Sequence, residues 1–299
     1  WVRDGWRVVA VVSALEGQTD ALLDRVRAWA GPQPFAQDEP SAGAAPAIAA
    51  LVATGESQSA AILGLALDRA GIPAEVLDAA AIGLRTSGPP LDAGPIGLDA
   101  GALWAALRRS PVVVVPGFTG RDEHGRATLL GRGDSDLSAL AIAQFLGGVR
   151  CRLVKDVDGL YDRDPAQTRV PHAAAPRRYD TLSWDDALAL DGTIVQHKGV
   201  RFAQRHALPF EVGAALADGA SLVGDLPARF DAGAIGLRPA RVPSTPLRVA
   251  LLGAGSVGLG VYHALRALPA WFEVAGVLVR DMDKAAAGGV DRHLLTRDP

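Results

Sequence analysis

The chain has 299 residues, 49% of them hydrophobic and 21% charged, with a formal net charge of −3. That length holds one large domain or two ordinary ones with a sizeable core, and so small a charge gives no support for a nucleic-acid or other polyanion partner. A single cysteine, Cys151, excludes an intramolecular disulfide framework and leads us to expect a reducing, cytoplasmic setting, and no apolar run reads as a membrane span or signal peptide.

Arg7–Ser13 is a short apolar, β-branched run and predicts a buried strand. Leu15–Gly17 turns the chain, and Gln18–Ala30 has helical periodicity. Gly31–Ala45, rich in Pro, Ala and Gly, predicts a mobile loop. Pro46–Ala70 predicts a helix with a break near Gly55; Pro46 is tolerated in its first turn. Ala74–Leu77 follows as a strand, Ala100–Arg109 as a helix and Val112–Val115 as a fully buried strand between prolines. Arg126–Leu130 leads into a glycine-rich turn and a helix over Asp136–Leu146. Arg150–Val154 predicts a strand, Trp184–Leu190 and Ile194–Arg205 helices, and Pro209–Val212 an extended segment. Buried parallel-type strands alternating with helices indicate an α/β sandwich with a mostly parallel sheet. The texture changes to unpatterned Gly, Pro, Ala and Arg at Asp225–Pro246, which predicts a linker. A second strand–turn–helix starts at Leu247.

The stretch Leu130-Gly131-Arg132-Gly133-Asp134-Ser135-Asp136-Leu137-Ser138 carries the most chemistry. Backbone N–H groups and a guanidinium at the positive end of a helix suit an anion, and the aspartates beside them suit an ammonium or a metal–phosphate complex. An amino acid facing a nucleotide phosphate meets both requirements. This stretch resembles the LGRGGSD signature of aspartokinases, in the amino-acid-kinase family. Ordered matches surround it: Val11–Asp20 (VVSALEGQTD), Gly55-Glu56-Ser57 with Ala60–Leu63, Val115–Arg121 (VPGFTGR), Asp156–Pro165 (DVDGLYDRDP) and Leu182–Ala187 (LSWDDA).

The resemblance implies an amino-acid-kinase-like αβα sandwich over residues 1–225 and ATP-dependent phosphorylation of the β-carboxylate of aspartate. It implies that Arg132 clamps the α-carboxylate, with Ser135 beside it. Glu56 and Asp136 hold the ammonium. Ser13 and Thr19 lie near the reacting groups, and Lys155, Asp156, Tyr161 and Asp164 shape the site of ATP with Mg²⁺. Three departures stand out. The second glycine of the signature is Asp134. The family's lysine near the end of the domain falls on Ile194. The threonine before DVDG is Lys155, as in uridylate kinases. The only lysines are Lys155, Lys198 and Lys284, so Lys155 or Lys198 has to supply the phosphate charge, and Lys198 is expected to be catalytic. The family's leading KxGG(S/T) strand is not seen after Trp1. A start at Trp1 and an end at Pro299, just past a helix-plus-loop pattern, lead us to expect a piece of a longer chain, poorly active by itself and with an exposed sheet edge.

Leu247–Leu252 followed by Gly253, Gly255, Ser256, Val257, Gly258 and Gly260 is a strand running into G-x-G-x-x-G-x-G at a helix start, a dinucleotide fingerprint. A second strand, Phe272–Val279, ends at Arg280-Asp281. Residues 247–299 resemble the start of homoserine dehydrogenases in Val279-Arg280-Asp281 and in Gly289–Pro299. A partial Rossmann fold is implied, with Arg280 favouring NADP and Asp281 leaving NAD open. Aspartokinase followed by homoserine dehydrogenase is the order of a bifunctional enzyme of amino-acid biosynthesis. A linker over 226–246 is too short for the regulatory domains such enzymes carry. Expected partners are aspartate, ATP and NADP, with no nucleic acid or membrane, in a homo-oligomer. Two alternatives stand beside this: another kinase of the family, glutamate 5-kinase-like or uridylate-kinase-like, or a degenerate kinase fold serving as scaffold or sensor.

Overall fold

The structure, a computed structural model, describes residues 1–30, 44–131, 135–163, 176–215, 219–231, 247–253, 256–266, 269 and 272–297. The loop expected over Gly31–Ala45 lies outside the described residues up to position 43. Contacts divide the chain into two units, Trp1–Ala232 and Gly233–Pro299.

In the first unit, β1 (Val8–Val12) leads to α1 (Gln18–Ala30), α2 (Ala44–Val52) and α3 (Thr54–Arg69). These are followed by β2 (Ala74–Val76), β3 (Arg85–Ser87), β4 (Gly94–Gly97), α4 (Ala100–Arg109) and β5 (Val112–Pro116). A parallel sheet in the order β1-β5-β2 puts Val9 opposite Val113 and Glu75 opposite Val113 from the other side. The all-apolar sequence of β5 follows from this central place, because both its faces are buried. The side chain of Asp99 caps α4 by accepting from the Ala102 amide at 3.1 Å.

Next come β6 (Thr119–Arg121), β7 (Ala127–Leu129), α5 (Ser135–Leu146), β8 (Arg152–Lys155), β9 (Tyr179–Ser183), α6 (Trp184–Ala189), α7 (His197–Arg205), β10 (Phe210–Ala214), β11 (Ser221–Gly224) and β12 (Arg229–Phe230). The short strands β4-β3-β6-β7 form a small sheet whose β3–β4 and β6–β7 pairs are antiparallel. A third sheet runs β12-β9-β11-β10-β8, parallel where β8 meets β10 and where β9 meets β11. β12 pairs with β9, so residues to Asp231 pack with this unit, past the expected boundary at 225. Leu137 and Leu140 of α5 are fully buried among Leu153, Val200, Phe202 and Phe210. That burial explains a helix that is apolar on most of its circumference.

One expectation needs correction. The run Ala44–Arg69, 26 residues long, is long and apolar enough by length and composition to cross a membrane. Part of its apolar surface serves the core, while Ile62 and Leu65 of α3 are exposed. Ile48, Ala49 and Val52 pack with Leu23, Val26 and Phe118, and Ala60 packs on Val112 and Val114.

In the second unit, β13 (Leu247–Leu252), α8 (Ser256–Arg266), β14 (Phe272–Leu278), α9 (Met282–Ala287) and β15 (Leu295–Thr296) form a parallel sheet β13-β14-β15. Tyr262, Val274 and Val277 anchor its core.

Candidate active site

The C-terminal ends of β1 and β5 are stitched together beyond their sheet: the Gly117 amide donates to the Val12 carbonyl at 2.8 Å. Gly117 also passes close to α5, where an added Cβ would sit 2.8 Å from the Ser135 side chain. The next residue, Phe118, has φ 64, a conformation that costs a non-glycine residue about 1 kcal/mol or more. Its buried ring and a 2.8 Å bond from its amide to Ser138 Oγ hold it there. The glycine–phenylalanine turn thus brings the start of α5 against the ends of β1 and β5.

Two carboxylates converge on this place. Glu56, in the first turn of α3, is 3% exposed. Its Oε1 accepts from the Ala14 amide at 3.4 Å, while Oε2 is buried with no hydrogen-bond partner among the described residues. Burial pushes its carboxyl above the ordinary glutamate range, against the pull of its own backbone amide and that of Ala14. Asp136, in the first turn of α5, accepts from Lys155 Nζ at 2.7 Å. Burial raises its carboxyl too, and Lys155 opposes that rise. Ser13 follows β1 and is exposed, and Thr19 is half-buried in the first turn of α1.

Lys155 lies at the end of β8, and there a cavity of about 600 Å³ opens. Lys155, Asp156, Leu160, Tyr161 and Arg163 line one side, and Leu190, Asp191, Gly192, Thr193 and Ile194 the other. Both walls are held by side chains. Tyr161 donates its hydroxyl to Asp158 at 2.6 Å; burial first, and then this bond, push the phenol up to about 12. Ser221 Oγ accepts from the Leu160 amide at 2.8 Å and donates to the Tyr179 carbonyl at 2.6 Å. A ring nitrogen of His197 meets the Leu190 carbonyl at 2.9 Å. That ring packs over Gly192, whose φ of 75 suits a residue without a side chain.

The structure therefore brings Lys155, Asp156 and Tyr161 to one cavity, and Glu56, Ser135 and Asp136 to the neighbouring strand ends, with the Lys155–Asp136 pair between them. Lys198 lies beside the glycine-rich turn. Its ammonium donates to Asp92 at 2.5 Å, to the Ala93 carbonyl at 3.2 Å and to the Leu130 carbonyl, so it braces the entrance of the glycine-rich turn. The Asp136 carboxylate already holds a lysine. Arg132 and Asp164 lie outside the described residues. Among the described residues no group of three His, Cys, Asp or Glu is placed to hold a metal.

In the second unit, Gly253 has φ 100 and donates its amide to the Leu278 carbonyl at 2.8 Å. An added Cβ on Gly258 would lie 2.3 Å from the Gly253 carbonyl, so that close approach of helix to turn requires glycine. Arg280 is exposed just past β14, and Asp281 caps α9 through the Lys284 amide at 3.0 Å. Gly255 and the side chains of Ser256 and Val257 lie outside the described residues.

Residues 1–212 match the sequence pattern of the amino acid kinase family. Aspartate kinase of Pseudomonas fluorescens (strain SBW25) is 33% identical over 208 residues, 69% of this chain and 47% of its own. Aspartokinase of Helicobacter pylori (strain 26695) is 32% identical over 202 residues, 67% of this chain and 47% of its own. Among solved structures, aspartate kinase from Synechocystis is similar with a TM-score of 0.59 and 32% identity, covering 76% of this chain and 36% of that one. E. coli aspartokinase III in complex with aspartate and ADP gives a TM-score of 0.51 and 26% identity, covering 70% of this chain and 46% of that one. The chain spans about half the length of the curated relatives it matches.

Proposed function

The chain belongs to the amino acid kinase family, and from that premise we propose that its first unit transfers the γ-phosphoryl group of ATP to the β-carboxylate of L-aspartate. The observation that carries this reading is the Glu56 carboxylate, buried with one oxygen unpartnered among the described residues. A buried acceptor left without a donor costs free energy, and the α-ammonium of an amino acid is a donor of matching charge. Asp136 is engaged by Lys155, so Glu56 is the carboxylate open to that ammonium, and Arg132 is the group suited to the α-carboxylate.

The chemistry asks little of the protein beyond placement and charge. An oxygen of the ionised β-carboxylate attacks the γ-phosphorus, forming the acyl phosphate. The bond from that phosphorus to the β,γ-bridging oxygen breaks, and its electron pair leaves on ADP. No general base is required, because the nucleophile carries no proton. Lys155, held by Asp136 at the mouth of the cavity, offsets charge on the phosphates. Mg²⁺ would be bound mainly through phosphate oxygens, with the exposed carboxylate of Asp156 on the lining nearby. In the same proposal the second unit is the start of a homoserine-dehydrogenase-like domain binding NADP or NAD, supported by the glycine-only contact between Gly258 and Gly253.

Incubating the full-length protein with Mg-ATP and aspartate, glutamate or UMP as acceptor, with ADP release followed for each and hydroxylamine added to trap any acyl phosphate, tests the kinase reading. Aspartyl hydroxamate, with little turnover of glutamate or UMP, is the expected result. Phosphorylation of UMP or glutamate in preference to aspartate would reassign the substrate.

A further inference from the structure

Arg178 carries no motif, yet it is 8% exposed. Its Nη1 donates to the Asp158 carbonyl at 3.0 Å, and its Nη2 to the Asp231 carboxylate. Its own carbonyl accepts from the Asp231 amide at 2.9 Å. Two glycines make room for the guanidinium and its stem: an added Cβ would come within 2.4 Å of Nη1 at Gly219 and 2.9 Å of Cδ at Gly159. The turn held in this way, Asp158–Tyr161, contributes Leu160 and Tyr161 to the cavity wall.

We infer that Arg178 is a positioning residue of the nucleotide site, fixing the Asp158–Tyr161 turn while Asp231 fixes Arg178. The inference rests on the nucleotide reading of the cavity. The guanidinium fork reaches two acceptors in different directions, which one ammonium does less well. A guanidinium this buried also requires its carboxylate, since removing one partner leaves an uncompensated charge.

The test compares the full-length protein with its Arg178→Ala, Arg178→Lys and Asp231→Asn variants. Calorimetry gives the Kd of a non-hydrolysable Mg-ATP analogue, and steady-state kinetics give the KM for aspartate. Arg178→Ala is expected to weaken the nucleotide about tenfold or more, equivalent to about 1.4 kcal/mol, while the KM for aspartate stays within about twofold. Arg178→Lys should recover part of the loss, and Asp231→Asn should weaken the nucleotide in the same sense. Unchanged nucleotide affinity in Arg178→Ala overturns the inference, as does an equal loss for both substrates with no recovery by lysine. If the alanine variant does not fold, unchanged nucleotide affinity in both the lysine and asparagine variants overturns it. Absence of nucleotide binding by the unsubstituted protein defeats the cavity reading itself, and the inference falls with it.

Discussion

Replacing Lys155 by methionine keeps most of the stem and removes the charge between the two halves of the proposed site. At 2.7 Å from Asp136, the attraction at an effective dielectric of 20 is about 6 kcal/mol before desolvation is counted. Breaking a buried pair from one side costs about 3–5 kcal/mol. The side chain of Lys155 is 23% exposed and that of Asp136 12%, which places the cost near the lower end, about 3 kcal/mol. For a unit of this size that corresponds to a fall of about 6–12 °C in Tm. The loss should depend on pH. Burial already raises the Asp136 carboxyl, and without Lys155 it rises further. A carboxyl raised in the folded state supports folding while protonated, and that support is lost as pH climbs through its folded value. The deficit of Lys155→Met should therefore be smaller near pH 5 than near pH 8. Thermal and urea denaturation of Lys155→Met, Asp136→Asn and the double variant at both pH values measure this, and the cycle isolates the pair. The double variant should recover most of the loss at pH 8. A deficit equal at both pH values, or a coupling below about 0.5 kcal/mol, would refute the reasoning.

Ser138→Ala strips the buried Phe118 amide of its partner and should cost about 1–3 kcal/mol in urea denaturation while raising the KM for aspartate; stability and KM both like the unsubstituted protein would contradict this. Leu140→Ala empties a fully buried site in α5 and should lower stability by about 3 kcal/mol or more, read from the same denaturation curves. In the second unit, Arg280→Ala should weaken NADPH about tenfold or more relative to NADH, the loss of a charge-assisted pair. Fluorescence titration of both cofactors decides this, and equal weakening would make Arg280 structural.

Long elements with one clear period were legible in the sequence. α1 and α4 run over the expected residues, and β5 extends its valine run only to Pro116. The helix expected from Ile194 starts at His197 instead. Side-chain bonds hold the residues before it in a turn: the Thr193 amide and hydroxyl donate to Asp191, and His197 meets Leu190. β3, β4, β6 and β12 are not legible in the sequence, because strands of two to four residues, some rich in glycine and proline, leave no period to read. In the site, residues inside a motif were recognisable, but their partners were not. A sequence does not reveal that Lys198 turns to the carbonyls of Ala93 and Leu130, or that Asp136 meets Lys155, because those contacts join distant segments. Arg178, in a stretch rich in Pro, Arg and Asp, reads as surface charge until β12 is seen to bring Asp231 beside it.

Succinate differs from aspartate only in lacking the ammonium, so it tests Glu56 most directly. The measurement is the ratio of kcat/KM for aspartate to that for succinate, in the full-length protein and in Glu56→Gln. If the unpartnered Glu56 oxygen receives the ammonium, the unsubstituted protein strongly prefers aspartate. Glu56→Gln then lowers the ratio by about tenfold or more, the value of a charge-assisted hydrogen bond of about 1.5–3 kcal/mol. If both rates fall together and the ratio does not move, Glu56 only supports the fold, and the amino-acid site lies elsewhere.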